Sequence, residues 1–186
     1  MDDTHAHFNT PLLKEGLQFR ISKRYCMKRG LIIGKFLPLH IGHMTLISYA
    51  LEHCDELIVV IGASDDEPIA GDVRLDWLEK TYAGYDKVKP ILLSYDEAML
   101  PGAADSIENM SRLWASYLKK KLPPIDVIFA SEAYGAYMGR FLDCESVIYE
   151  EPCKIVPVPA AKLREEPDLY LHLLPDVVKD YYKKSG

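Results

Sequence analysis

The stretch GLIIGKFLPLHIGH, Gly30 to His43, decides how this chain is read. It opens as an aliphatic run suited to a short buried strand, Gly30 to Phe36. Pro38 denies that strand a continuation, because proline brings no N–H to a ladder. Gly42 is expected to let the backbone turn tightly, with a helix beginning close to His43. His40 and His43 then fall where a strand ends and a helix starts. Free backbone N–H groups and the positive end of the helix dipole attract phosphate at such a place. Two imidazoles add donors that can follow charge developing on a phosphoryl oxygen, and Lys35 adds a cation nearby.

Outward from this stretch the same alternation repeats. ELIVVIGA (56–63), VKPILLSY (88–95), IDVIFA (125–130) and ESVIYE (145–150) read as further strands. HMTLISYALEHC, DVRLDWLEKTYAGY, DSIENMSRLWASYLKKKL and EAYGAYMGRFL carry apolar residues at helical spacing. Aliphatic strands separated by helices predict an α/β domain, a parallel sheet with helices on both faces. Such open sheets bind ligands beyond the carboxyl ends of their strands. Gly62, Ala63 and Ser64 follow the second strand at that edge, whereas Asp65, Asp66 and Glu67 read as solvated. Residues 1–28 stand outside the alternation and are expected to form an N-terminal arm, leaving 29–186 as the domain. His5 and His7 in that arm lack the cysteine or acidic neighbours of a metal site.

Composition narrows the partners. The chain has 186 residues, 48% of them hydrophobic, and a formal net charge of −6, so nothing global favours nucleic acid or an anionic membrane. No run of 18 apolar residues suggests a membrane span, and the first residues lack the order of a signal peptide, so a cytoplasmic protein is expected. Cys26, Cys54, Cys144 and Cys153 form no CxxC pair, which argues against a disulfide framework or structural zinc. The sequence leaves the oligomeric state open, a homo-oligomer included.

GKFLPLHIGH resembles the GxFxPxHxGH signature of the HxGH nucleotidyltransferase superfamily, whose fold is Rossmann-like. Gly34, Phe36, His40, Gly42 and His43 match it. By that resemblance His40 and His43 would bind the α-phosphate region of a nucleoside triphosphate and stabilise the transition state of a direct in-line transfer. Lys35 would clamp phosphate, and no covalent intermediate is implied.

The segments GASDDEP, DVRLDWL, YDEAMLP, DVIFASE and AKLREEPDLYLHLLPDVVKDYY follow in order. Together they resemble the NMN adenylyltransferase domain of the bifunctional NMN adenylyltransferase/ribosylnicotinamide kinase family, over residues 29–184. The resemblance implies ATP and NMN as substrates, with Mg²⁺ entering on the triphosphate and no metal site of the protein's own. Arg74 matches the arginine of the family's R-x-x-W-L segment. It either contacts nucleotide or pairs with Asp72 or Glu79 on a helix surface. Ser131 and Glu132 match a T-S-E segment beside the ATP site, although a serine opening a helix is equally an N-cap. Ser64 belongs with the substrate crevice. An aromatic ring stacks on the pyridinium in this family. Counting back from IDVIFASE places that position near Met110, one turn before Trp114, which is either that ring or a core residue.

Two departures bear on activity. The family's second signature is close to I-S-x-T-x-I-R, and this chain has VPVPAAKLRE. Arg164 remains, but Pro159 and Ala161 stand where hydroxyls would hold the triphosphate. The chain also has no GxxxxGK(S/T) phosphate loop, so kinase activity is not expected of it. Two rivals stay open: a related transferase acting on another phosphate, and a non-catalytic NMN or NAD sensor.

Overall fold

β2 (Glu56–Ala63), ELIVVIGA, is the longest strand of the sheet, with every residue after the first buried. It pairs in parallel with β1 (Arg29–Gly34) on one side and β3 (Val88–Ser94) on the other. β4 (Val127–Ala130) and β5 (Glu145–Ile148) extend the sheet beyond β1, giving the order β3-β2-β1-β4-β5 with all strands parallel. The computed structural model describes residues 27–96 and 106–185. Between and after the strands lie α1 (Ile41–Leu51), α2 (Gly71–Thr81), α3 (Ile107–Lys121) and α4 (Tyr134–Leu142). Four further helices close the chain: α5 (Glu151–Ile155), α6 (Ala160–Glu165), α7 (Pro167–Tyr170) and α8 (Asp176–Ser185).

Alternate strand residues point to opposite faces, and both faces are covered. Ile32, Leu57, Val59 and Ile61 pack against α1, α2 and the C-terminal helices, through Ile47, Trp77, Leu163 and Val178. Leu31, Ile58 and Val60 pack against Ala115 and Leu118 of α3 and Met138 of α4. The α/β architecture expected from the sequence is therefore the one observed, with helices on both faces.

The sheet reverses its winding between β1 and β4, and there the two strands separate early. Only Gly30↔Val127 and Leu31↔Ile128 are in register. Beyond them the Tyr134 hydroxyl, from the first turn of α4, donates to the Ile33 carbonyl at 3.0 Å. Burial pushes that phenol well above its usual pKa, with the Glu132 charge adding to the effect. A reversal of this kind opens a crevice at the carboxyl edge.

Several boundaries differ from expectation, three of them near the histidine stretch or at the edge of the domain. β1 stops at Gly34, not Phe36, because Phe36 has φ 49°, a left-handed backbone no strand accommodates. α1 starts at Ile41, earlier than the expected His43, because the His40 side chain caps it. Lys28 belongs to the domain rather than to the arm: its N–H donates to Asp55 at 2.8 Å and its carbonyl accepts from the Asp55 N–H. His5, His7, Cys26 and most of YDEAMLP lie outside the described residues. Cys54, Cys144 and Cys153 are free thiols. No helix among the described residues is long and apolar enough to cross a membrane.

Candidate active site

Residues 34–43 leave the carboxyl end of β1 and enter α1 beside the crevice. His40 occupies the N-cap with an extended backbone, and its Nδ1 accepts the Gly42 N–H at 3.1 Å. An accepting Nδ1 carries no proton, so Nε2 carries it and is the donor of the neutral ring. The His43 ring stacks on the His40 ring with centroids 3.8 Å apart and lies 4.7 Å from Phe36. Both histidines are only half-buried as residues, yet the His43 Nδ1 is sealed from solvent and has no partner. Burial lowers the His40 pKa to about 4. It drives His43 well below the ordinary histidine value, with the adjacent His40 charge helping. At neutral pH the pair is uncharged.

Gly42 does not make the expected turn. It is helical and buried, and no described glycine has positive φ. A Cβ at Gly42 would sit 3.0 Å from the His40 ring and 3.2 Å from the Pro152 carbonyl of α5. The glycine is there for close approach, letting α5 and the His40 ring meet over the start of α1. Gly34 ends β1 beside Ile61, and its hydrogen faces the Phe36 ring.

Arg74 corrects the sequence reading most. Its side chain is 0% exposed, so it neither reaches nucleotide nor pairs on a helix surface. Nη1 donates to the Lys35 carbonyl at 2.7 Å and the Gly62 carbonyl at 3.4 Å, and Nε donates to the Ala70 carbonyl at 3.3 Å. Nη2 pairs with Glu67, not with Asp72 or Glu79. Glu67, expected to be solvated with its acidic neighbours, is instead turned inward with 6% of its side chain exposed. Its other oxygen meets the Lys35 ammonium at 2.8 Å. Lys35 itself stays 56% exposed at the crevice. Sequence reasoning missed Glu67 because DDEP offers three acids with no periodicity to rank them; the signal was a buried arginine nearby that required a counter-charge.

One strand over, the edge of β2 and β3 frames an open cavity of about 530 Å³, lined by Ser64, Asp65, Asp66, Ser94, Tyr95 and Asp96. Ser64 is buried, and its N–H donates to Glu67 at 3.4 Å. Trp114 lies against Gly62, where a Cβ would come within 3.0 Å of its ring, and meets Tyr95 edge-on at 4.9 Å. It packs in the second core layer while standing beside this cavity.

On the far side of the crevice, Ser131 precedes α4 without capping it, since the cap position is Ala133. The Ser131 carbonyl faces the Cys153 thiol at 3.6 Å, and Glu132 is exposed. Arg164 crosses from α6 to donate to the Leu37 carbonyl at 2.6 Å. Pro159 is the α6 cap and supplies no side-chain hydrogen bond, while Lys162 turns to Glu165 and Glu166. The fold thus gathers Gly34, Lys35, Phe36, His40, Gly42, His43 and Arg164 around one loop. Ser64 and Trp114 stand together at a neighbouring edge.

A family model described as cytidylyltransferase-like matches residues 31–75, which span β1, the histidine loop, β2 and the start of α2. The nicotinamide-nucleotide adenylyltransferase of Methanocorpusculum labreanum is 32% identical over 107 residues, covering 56% of this chain and 59% of that protein. The trifunctional NAD biosynthesis/regulator protein NadR of Escherichia coli is 29% identical over 189 residues, covering 91% of this chain and 43% of NadR. A crystal structure of NadR in complex with NAD and AMP-PNP shares the fold, with a TM-score of 0.62 at 16% identity over 81% of this chain and 45% of that one. The chain spans about half the length of these relatives.

Proposed function

We propose, because the chain carries a nucleotidyltransferase-superfamily domain like that of NMN adenylyltransferases, that it condenses ATP with NMN to give NAD and pyrophosphate. The observation that carries this reading is the stacked, uncharged His40–His43 pair at the reversal between β1 and β4. A phosphate oxygen of NMN attacks the α-phosphorus of ATP in line. The bond from that phosphorus to the bridging oxygen breaks, and pyrophosphate leaves with the electron pair. Neutral imidazoles suit this chemistry, since an N–H donor aimed at the equatorial oxygens strengthens as charge builds there. His40 has that proton on Nε2 because Nδ1 accepts from Gly42. Lys35 and Arg164 supply positive charge to the departing phosphates. Trp114, Tyr95 and Ser64 form the place for the nicotinamide half.

Mg²⁺ would enter as MgATP. The ion would be carried on the triphosphate oxygens. The cytoplasm, where ATP is held, would be the place of reaction.

The test is to mix the purified protein with MgATP and NMN and to follow NAD and pyrophosphate together. Stoichiometric release of both is the expected result. Binding of NMN without either product would replace the enzyme by a sensor. Product from a competing phosphate alone would reassign the substrate.

A further inference from the structure

We infer that Glu67 is a positioning residue for this site: its carboxylate, braced on buried Arg74, holds the Lys35 ammonium where phosphate is to be met. The inference rests on the reading of the β1 loop as a phosphate cleft.

The geometry is unusual for an acid in an acidic run. Asp65 and Asp66 are exposed, but Glu67 turns inward to 6% side-chain exposure. A carboxylate leaves water only where charged or polar partners replace it. Both its oxygens face cations: Oε2 bonds the Arg74 guanidinium, while Oε1 is otherwise unpartnered and lies in an ion pair 2.8 Å from the Lys35 ammonium. The Arg74 donors are in turn fixed on the carbonyls of Lys35, Gly62 and Ala70. One buried pair therefore grips Lys35 at both ends, its carbonyl through Arg74 and its ammonium through Glu67. The next residue is Phe36, in the left-handed backbone that brings its ring to His43.

Lysine is a point charge on a flexible stem, and without a partner it samples many rotamers. Here burial alone would lower its pKa, yet the hydrogen bond and charge of Glu67, joined by Tyr95, raise it overall. The ammonium is thus kept charged, oriented and 56% exposed. An incoming phosphate meets a cation already in place, which is how preorganised charge assists phosphoryl transfer.

Two physical effects of Glu67 have opposite signs, and that makes the inference testable. Acting only through space, a carboxylate near a triphosphate weakens ATP binding, so its removal lowers KM for ATP. Acting as a positioner, its removal raises it. We expect Glu67→Gln to raise KM for ATP about tenfold while leaving KM for NMN within twofold, a change of about one decade per 1.4 kcal/mol. Lys35→Met should give a similar loss, and Lys35→Met combined with Glu67→Gln should be no worse than Lys35→Met alone. An unchanged or lower KM for ATP in Glu67→Gln, or additive losses in the double variant, would overturn the assignment.

A second measurement needs neither substrate nor variant. Acylation of wild-type lysines, read by mass spectrometry, should modify Lys35 several-fold more slowly than exposed Lys120 and Lys121. Equal rates would overturn the assignment even if Glu67→Gln fails to fold. A wild type that protects Lys35 but forms no NAD would overturn the functional reading alone.

Discussion

Two segments of this molecule are candidates to hold a triphosphate, and they are built differently. The loop 34–43 is anchored in the interior. Phe36 is 1% exposed, Arg74 beneath it is 0% exposed, and Gly42 is small enough for α5 to press on the histidines. The segment 156–165 sends only Val156 and Leu163 into the core, its other residues being partly or fully exposed. α6 has six residues, its cap is a proline without a side-chain donor, and Lys162 pairs with acids of its own helix. It shares the core cluster with the other segment through Leu163, and Arg164 adds a hydrogen bond to the Leu37 carbonyl. The first segment holds its geometry through core packing and a buried ion pair, and the second through the buried Leu163 and a partly buried hydrogen bond from Arg164. On the proposed reading, the first segment orients the reaction and the second supplies affinity.

Removal of the arginine that supports each segment tests this most severely. Arg74→Met leaves Glu67 buried without its main partner, a loss of about 3–5 kcal/mol in folding stability by the usual cost of breaking a buried pair. Arg164→Met loses one hydrogen bond to a backbone carbonyl, at most about 3 kcal/mol for a charged donor. Urea unfolding of both variants measures the difference, and equal losses would break the distinction. Arg74→Lys should not rescue, because an ammonium cannot reproduce four donors on a rigid fork.

His43→Ala is next in size. It should lower kcat by about 10²–10³, the range seen when a preorganised donor is removed, with cooperative unfolding retained. The ring's Nδ1 has no partner to lose, so the damage should fall on turnover more than on folding. Steady-state kinetics beside circular dichroism checks both, and normal turnover would remove His43 from the mechanism.

Acid should separate the two segments again, less strongly. The unfolded chain protonates its histidines near 6.5, whereas His40 in the fold does so only near about 4, and His43 too is held well below its ordinary value. The unfolded state therefore binds more protons between those values. Their contribution to stability is complete above about pH 6.5 and declines as the pH falls toward about 4. Unfolding midpoints should follow that curve, and kcat/KM should show no histidine limb between about pH 6 and 8. A limb near 6.5 that disappears in His40→Asn would mean that the rings work as cations. No histidine lies in 156–165, so that segment adds no such dependence.

Much of this was legible in the sequence, and the parts that were not share one cause. β2 announces itself because seven of its eight residues are buried, so hydrophobicity alone marks it. The histidine spacing is legible because a cap and a first-turn residue are local features. Arg74 and Glu67 are not. Their roles depend on contacts with Lys35 and Gly62, up to 39 residues away, and nothing local says which of three acids turns inward. The function of Gly42 was misread for the same reason. Its neighbour across the gap is Pro152, on a helix 110 residues later. The early start of α1 came from a histidine acting as N-cap acceptor, which lies outside the usual preference for Ser, Thr, Asp and Asn.

The smallest effect bears on the weaker segment alone. If 156–165 lacks only the hydroxyls its family signature supplies, Ala161→Ser should restore part of what is missing. A single neutral hydrogen bond is worth about 0.5–1.5 kcal/mol. KM for ATP should then fall about 2–10-fold at unchanged kcat, since a contact made equally in ground and transition states changes binding and not turnover. Ala161→Cys, close to serine in shape but with only a weak S–H donor, should not reproduce the gain. A rise in kcat with Ala161→Ser would show that this segment orients the reaction, and the division of labour between the two segments would fail. No change in either constant would show that backbone N–H groups already meet the triphosphate there, and that Pro159 and Ala161 cost the enzyme nothing.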